Sequence, residues 1–195
     1  MKKITGIILA GGRSSRMGSN KARIKIAGIS CIERVMNALR PVAGEILIIA
    51  DPAEYAGLGA TVYPDILKEG GPLAGICTGL LRSATEENIF APCDMPFLCP
   101  ELYRHLLRIS PRHEITIPSL GKEVYPLCGV YLRSCAGRLL ECVKNRERKV
   151  KEVISRFRLH TEPLDAVYGL NDPGMLANLN TPQELASVPG REYEN

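Results

Sequence analysis

The segment Leu9-Ala10-Gly11-Gly12-Arg13-Ser14-Ser15-Arg16-Met17-Gly18-Ser19-Asn20-Lys21 has the residue types of a phosphate cradle. Its glycines let backbone N–H groups approach an anion without a side chain in the way. Arg13, Arg16 and Lys21 add cations that neutralise a triphosphate. Two familiar phosphate loops do not fit. A Walker loop needs Lys directly after its last Gly, and Lys21 lies three residues past Gly18. The Gly-x-Gly-x-x-Gly fingerprint of dinucleotide sites is absent. The competing reading is a solvated Gly-rich turn with surface arginines. Its position straight after an apolar run favours the cradle.

Phosphate chemistry also needs the developing negative charge stabilised. Mg²⁺ does so through one or two carboxylates, phosphate oxygens and waters. Asp94, in Ala91-Pro92-Cys93-Asp94-Met95-Pro96-Phe97-Leu98, is the best placed carboxylate. It follows an apolar run and is hemmed by two prolines. A turn Asp or helix N-cap is the alternative. Asp65 would be an ordinary loop residue but for the Gly70-Gly71-Pro72-Leu73-Ala74-Gly75 segment after it. That segment also reads as a helix start with close packing at Gly75 and Gly79, and the two readings are compatible.

These residues need a frame. Residues 4–10 form a nearly continuous apolar run, as in a strand buried on both faces of a parallel sheet. The spacing predicts a helix over 31–39, strands over 46–50 and 61–63, and a helix over 75–81 preceded by a loop at 69–72. It then predicts a strand over 89–92, a helix over 102–107, and strands over 115–117 and 127–132. Helices over 136–143 and 149–157 follow. Thr181, Pro182 and Glu184 have the types of an N-cap, a first helical position and a capping box, so a last helix is expected there. Alternating strands and helices mean an α/β fold with a mostly parallel sheet. No repeat or linker interrupts it, and one domain over 1–195 is expected. In such sheets ligands bind beyond the carboxyl ends of the strands, where the Gly/Arg loop and the Asp94 loop both lie.

The balance of 25 basic and 21 acidic residues, net +4, is too mild to call for nucleic acid and suits anionic small molecules. No apolar stretch is long enough to span a membrane. The run after Met1-Lys2-Lys3 is too short for a signal peptide and passes into the Gly/Arg loop. Seven cysteines with no Cys-x-x-Cys pair, and three histidines, supply a zinc site poorly. Free thiols in a reducing cytoplasm are expected.

The string Leu-Ala-Gly-Gly-x-x-x-Arg-Met-Gly-x-x-Lys resembles the signature loop of nucleotidyltransferases that activate sugars and cofactors. In its Gly-Gly form it resembles the molybdenum cofactor guanylyltransferases, the MobA-like nucleotidyltransferases. Cys93-Asp94-Met95-Pro96-Phe97, Gly70 to Gly75 and Asn178-Leu179-Asn180-Thr181-Pro182 follow in that family's order, and the resemblance runs from Gly6 to Leu185. It implies a Rossmann-like three-layer α/β/α domain of the nucleotide-diphospho-sugar transferase type. It implies an enzyme that joins GMP from GTP to the phosphate of molybdopterin, with Mg²⁺, and that meets molybdoenzymes or cofactor-delivery proteins but neither nucleic acid nor membrane. Leu9, Ala10, Gly11 and Gly12 would line the nucleotide. Arg16 and Lys21 would touch its phosphates, and Asp94 would hold the metal. Asp65 with Gly71, Pro72 and Leu73 would hold the guanosine. Asn178 and Asn180 would face the metal's waters or the acceptor phosphate. The basic stretch from Lys144 to Lys149, with Lys151, either receives the anionic pterin or is a solvated helix face.

The chain departs from the family at three places. Asn20 stands where Asp usually precedes the Lys. Ile49 ends the second strand where Asn often meets the nucleotide. Tyr125, before Pro126, replaces a common His. Two rival readings remain at this level. One is a sister transferase with another nucleotide or acceptor, such as a molybdopterin cytidylyltransferase or a deazaflavin-cofactor guanylyltransferase. The other is a nucleotide-binding protein that no longer catalyses.

Overall fold

In a computed structural model that describes residues 3–11, 21–67 and 70–179, the first apolar run becomes strand β1 (Ile4–Leu9). A short hairpin follows, β2 (Lys25–Ile26) and β3 (Ile29–Ser30), and then helix α1 (Cys31–Leu39). Ser30 and Glu33 close a capping box at the start of α1, which fixes where that helix begins. Next come β4 (Glu45–Ile49), α2 (Pro52–Tyr55), β5 (Thr61–Tyr63), α3 (Gly71–Arg82) and β6 (Glu87–Pro92). The distal part holds α4 (Pro100–Ile109), β7 (Ile115–Leu120), β8 (Glu123–Val124) and β9 (Gly129–Leu132). It continues with α5 (Ala136–Lys144), α6 (Val150–Ile154) and β10 (Leu159–Pro163).

The main sheet runs β10-β7-β9-β6-β1-β4-β5, with β8 on β7. β6, β1, β4 and β5 are parallel neighbours, as are β10 and β7. β9 runs antiparallel between β6 and β7. Parallel pairings prevail, as the alternation of elements predicts. β1 lies between β4 and β6: the chain runs from β1 outward through β4 to β5, then crosses back through α3 to β6 on the other side of β1. A crevice opens past its carboxyl end at such a reversal.

Alternate strand residues feed two cores. Ile8, Ile48 and Ile89 meet α1 and α4 on one face. Ile7, Leu47 and Phe90 meet α3, α5 and α6 on the other. This is the expected three-layer arrangement. Gly79 lets α3 lie close on the sheet, since a Cβ there would stand 2.7 Å from Ile7 Cγ2.

Three expectations need correction. The segment 69–72 is not all loop: α3 already begins at Gly71, with Pro72 in its first turn, where its missing N–H costs nothing. The helix expected over 149–157 is only Val150–Ile154, because Arg156 and Phe157 turn back by bonding to Val153 and Ile154 carbonyls. Leu127 and Cys128 precede β9 rather than belonging to it. The expected helix after Thr181 lies outside the described residues. No helix among the described residues is long and apolar enough to cross a membrane.

Candidate active site

Four strand ends deliver their loops to one cleft with about 710 Å³ of open space. β1 supplies Leu9 and runs into Ala10 and Gly11. Lys21 and Ala22 come from the turn before the hairpin. β4 contributes Ile49, the corner after β5 contributes Asp65, and α3 contributes Gly71, Pro72 and Gly75. β6 ends in Pro92, Cys93 and Asp94, and Leu127 closes the distal side. The loops are stitched together by backbone bonds. Ala10 N–H donates to Ile49 O at 3.0 Å, Ala50 N–H to Tyr63 O at 2.9 Å and Cys93 N–H to Leu9 O at 3.1 Å.

The Asp65 side is built on absent side chains. A Cβ at Gly11 would lie 3.1 Å from Asp65 Oδ2, and one at Gly75 would lie 3.7 Å from Asp65 Oδ1. The carboxylate therefore sits between two glycines, tightly against Gly11 and at ordinary contact distance from Gly75. Burial raises the Asp65 carboxyl above its usual range, and a hydrogen bond from Thr78 partly offsets this. The opening of α3 faces the same space. Its first turn leaves backbone N–H groups without helical partners, and Gly70 provides no side-chain cap. Gly71 reaches this start at φ 67°, a left-handed value that favours glycine.

The Asp94 side is different in kind. Asp94 lies two residues past the buried end of β6, and Leu179 N–H donates to its backbone carbonyl at 2.8 Å. Burial raises its carboxyl, while its own backbone N–H and the Lys21 ammonium pull it back. The neighbouring Cys93 thiol is pushed up to about 12, first by burial and then by Asp94. It is a neutral thiol at ordinary pH and a poor ligand or nucleophile. All seven cysteines are unpaired, as expected.

A partly desolvated carboxylate with one lysine nearby fits a divalent cation. The cation favours the ionised form that burial opposes. No group of three or more His, Cys, Asp or Glu able to hold a metal occurs among the described residues. Phosphate oxygens and waters would complete the shell, as Mg²⁺ prefers.

The structure thus gathers Leu9, Ala10, Gly11, Lys21, Asp65, Gly71, Pro72 and Asp94 around one cleft. Leu73 does not join them. Its side chain is wholly buried in the core under α3, so its part in nucleotide binding is at most through its backbone. Ile49 does line the cleft, although its side chain also packs into that core. Tyr125 is not among the lining residues. Gly12, Arg13, Arg16, Asn20 and Asn180 lie outside the described residues. Asn178 is exposed, next to the Leu179 that bonds Asp94.

The basic stretch is only in part a helix face: Lys144 ends α5 and Lys151 lies in α6, both exposed, and residues 145–149 lie between the helices. Residues 145–149 form the turn from α5 into α6, with Arg146 at φ 61°. Glu147 there is held by Arg156 at 2.6 Å, and Lys149 by Glu152 at 2.7 Å. The Arg148 stem reaches to 3.9 Å from where a Gly71 Cβ would be, so the turn touches the cleft mouth. Thr78 was not visible as a site residue in the sequence. A mid-helix Thr, 13 residues from Asp65, carries no spacing signal.

Residues 6–162 match the MobA-like NTP transferase domain. A probable molybdenum cofactor guanylyltransferase of Pelotomaculum thermopropionicum is 35% identical over 190 residues, covering 96% of this chain and 93% of that protein. A molybdenum cofactor guanylyltransferase of Desulfosudis oleivorans is 32% identical over 193 residues, covering 95% and 94%. The solved structure of molybdopterin-guanine dinucleotide biosynthesis protein A from Archaeoglobus fulgidus superposes with a TM-score of 0.78 at 25% identity, covering 94% of this chain and 96% of that one. The 4-diphosphocytidyl-2C-methyl-D-erythritol synthase of Anaerococcus prevotii shares the fold, with a TM-score of 0.68 at 12% identity over 96% and 94% of the two chains.

Proposed function

The chain belongs to the MobA-like NTP transferase family, and from that premise we propose that it transfers GMP from GTP to the phosphate of molybdopterin, releasing pyrophosphate. The observation that carries the reading is the meeting of Asp94, Lys21, Asp65 and the α3 start around one cleft at the strand ends.

The two sides of the cleft divide the work. On the guanosine side, the free N–H groups of the α3 first turn suit the acceptor edge of guanine, its O6 and N7. The carbonyls of that turn are taken by the helix ladder, so the turn cannot also meet the base's donors. Asp65 supplies the missing acceptor for N–H or hydroxyl groups of the guanosine. On the phosphate side, Lys21 neutralises the triphosphate and Asp94 holds Mg²⁺. When bound, that ion stabilises charge on the α-phosphate and on departing pyrophosphate. Arg16 belongs with Lys21 in this reading.

The acceptor phosphate is already ionised and needs no general base. One of its oxygens forms a bond to the α-phosphorus as the bond to the bridging oxygen of pyrophosphate breaks. The protein's part is alignment and charge neutralisation. The acceptor enters past Leu127, where Pro126, Leu127 and Val150 form an apolar shelf flanked by Lys151 and by the Lys149–Glu152 ion pair. The free thiols suit a reducing cytoplasm, where the reading places the enzyme.

The test is pyrophosphate release with GTP, Mg²⁺ and molybdopterin together, compared with CTP and ATP. Release with GTP supports the reading. Preference for CTP would replace it with a cytidylyltransferase. Nucleotide binding without turnover would make the chain a non-catalytic binder.

A further inference from the structure

We infer that Thr78 is a positioning residue for the nucleotide: its buried hydroxyl ties the Asp65–Ile66 corner to helix α3 and holds the Asp65 carboxylate where the nucleoside meets it. This rests on the reading that Asp65 faces the guanosine.

Thr78 lies within α3 and is wholly buried. A mid-helix threonine commonly bonds the carbonyl four residues back, and Thr78 Oγ1 donates to Ala74 O at 2.7 Å. The hydroxyl has a single proton, directed mainly at Ala74 O and shared weakly with Asp65 Oδ1 at 3.4 Å. Two further contacts point elsewhere. The backbone N–H of Ile66 donates to Thr78 Oγ1 at 3.1 Å, and Asp65 Oδ1 lies 3.4 Å from the same oxygen. A single oxygen on the helix thus fixes both the main chain after Asp65 and the carboxylate itself.

The corner needs such an anchor. It follows the three-residue strand β5, and Pro64 has no N–H to donate. The slot between Gly11 and Gly75 gives the carboxylate room but offers it no side chain to bond. Thr78 supplies the direction that the slot lacks. Its hydrogen bond also partly opposes the upward push of burial on the Asp65 carboxyl.

The experiment compares Thr78→Val, Thr78→Ser and Asp65→Ala by calorimetric titration of GTP and of inorganic triphosphate, alongside steady-state kinetics. Thr78→Val keeps the shape and removes the oxygen, and loss of one such buried bond should raise the Kd and KM for GTP about tenfold. Turnover at saturating GTP and triphosphate affinity should stay within about twofold, since the phosphate side is untouched. Thr78→Ser should restore GTP binding, and the pH midpoint for GTP binding should rise in the Val variant only. If Thr78→Val does not fold, Thr78→Ala takes its place in the same comparison.

Wild-type GTP affinity in a folded Val or Ala variant would overturn the proposal. So would equal losses of GTP and triphosphate, which mark a merely structural role. If Asp65→Ala itself binds GTP normally, the nucleoside reading of Asp65 fails, and the positioning role with it. If Asp65→Ala weakens GTP and Thr78→Val does not, the positioning role alone fails.

Discussion

The two carboxylates of the cleft face the same difficulty and are answered differently. Both Asp65 and Asp94 are raised by burial. Asp65 is steadied by a neutral hydroxyl in a slot between two glycines, a directional arrangement that adds no charge. Asp94 is steadied by its own backbone N–H and by a lysine, and much of its charge is left for a cation to meet. A neutral hydrogen bond fixes geometry, which suits a base or sugar with its own donors. A carboxylate beside a lysine suits a metal ion, and the ion and the lysine together suit phosphate at the reacting end. Under the proposed function, selectivity belongs to the Asp65 side of the cleft and catalysis to the Asp94 side, and the two should separate by mutation.

Removing the charge on the reacting side should have the largest effect. Asp94→Ala is expected to lower turnover at least about a hundredfold, the scale of losing a charged transition-state group. Steady-state kinetics with a circular dichroism check of the fold decide this. A folded variant with near-normal turnover would erase the contrast.

Lys21→Ala comes next. GTP affinity should fall by tenfold or so while guanosine affinity barely moves, because only GTP brings the anionic partner. Equal losses would make Lys21 a support for the loop. On the other side, GTP should bind at least about tenfold tighter than ATP, since each mispaired buried polar group costs roughly 1–3 kcal/mol. CTP should bind poorly, because its smaller ring does not reach the α3 start. Titration of the three nucleotides with Mg²⁺ measures the order, and a CTP preference would reverse it.

The smallest effect is in pH. Both carboxyls have folded values above their unfolded ones, so the folded protein holds more protons just above the ordinary carboxylate range. Their contribution to stability is full below that range and is lost as pH rises through the raised values. Without metal, the melting temperature should therefore carry a downward component over that window. Mg²⁺ should reduce the Asp94 share and leave the Asp65 share. Asp94→Asn should flatten the profile in the same way, and an unchanged profile in that variant would remove Asp94 as its source.

Much of this was legible in the sequence where one physical signal dominated. A nearly continuous apolar run marks β1, a short β-type stretch marks β5, and the helix over 31–39 has the predicted limits because apolar spacing and a capping residue agree. Asp94 was legible because prolines and a buried run flank it. The start of α3 was misjudged because Gly70, Gly71 and Pro72 read as breakers, although proline is welcome in a first helical turn. β10, Leu-His-Thr-Glu-Pro, escaped notice because an edge strand needs no apolar face. The two-residue strands of the hairpin are too short to show a period. Thr78 stayed hidden because its meaning comes from a corner that only the folded chain brings to it.

Gly79 gives the cleft a mechanical property. It is where α3 rests on β1, with Ile7 close beneath. The helix opening at Gly71 lies eight residues away, about 12 Å at the usual rise. Any side chain at Gly79 must tilt the helix, move Ile7 or do both. A tilt pivots the far end, so a few tenths of an ångström at this fulcrum become a shift of comparable or greater size at the helix mouth. β1 carries the other contact surface, Leu9 to Gly11, on the same rigid member. The bare backbone at Gly79 therefore sets the gauge between the two jaws of the cleft, from a position no ligand reaches.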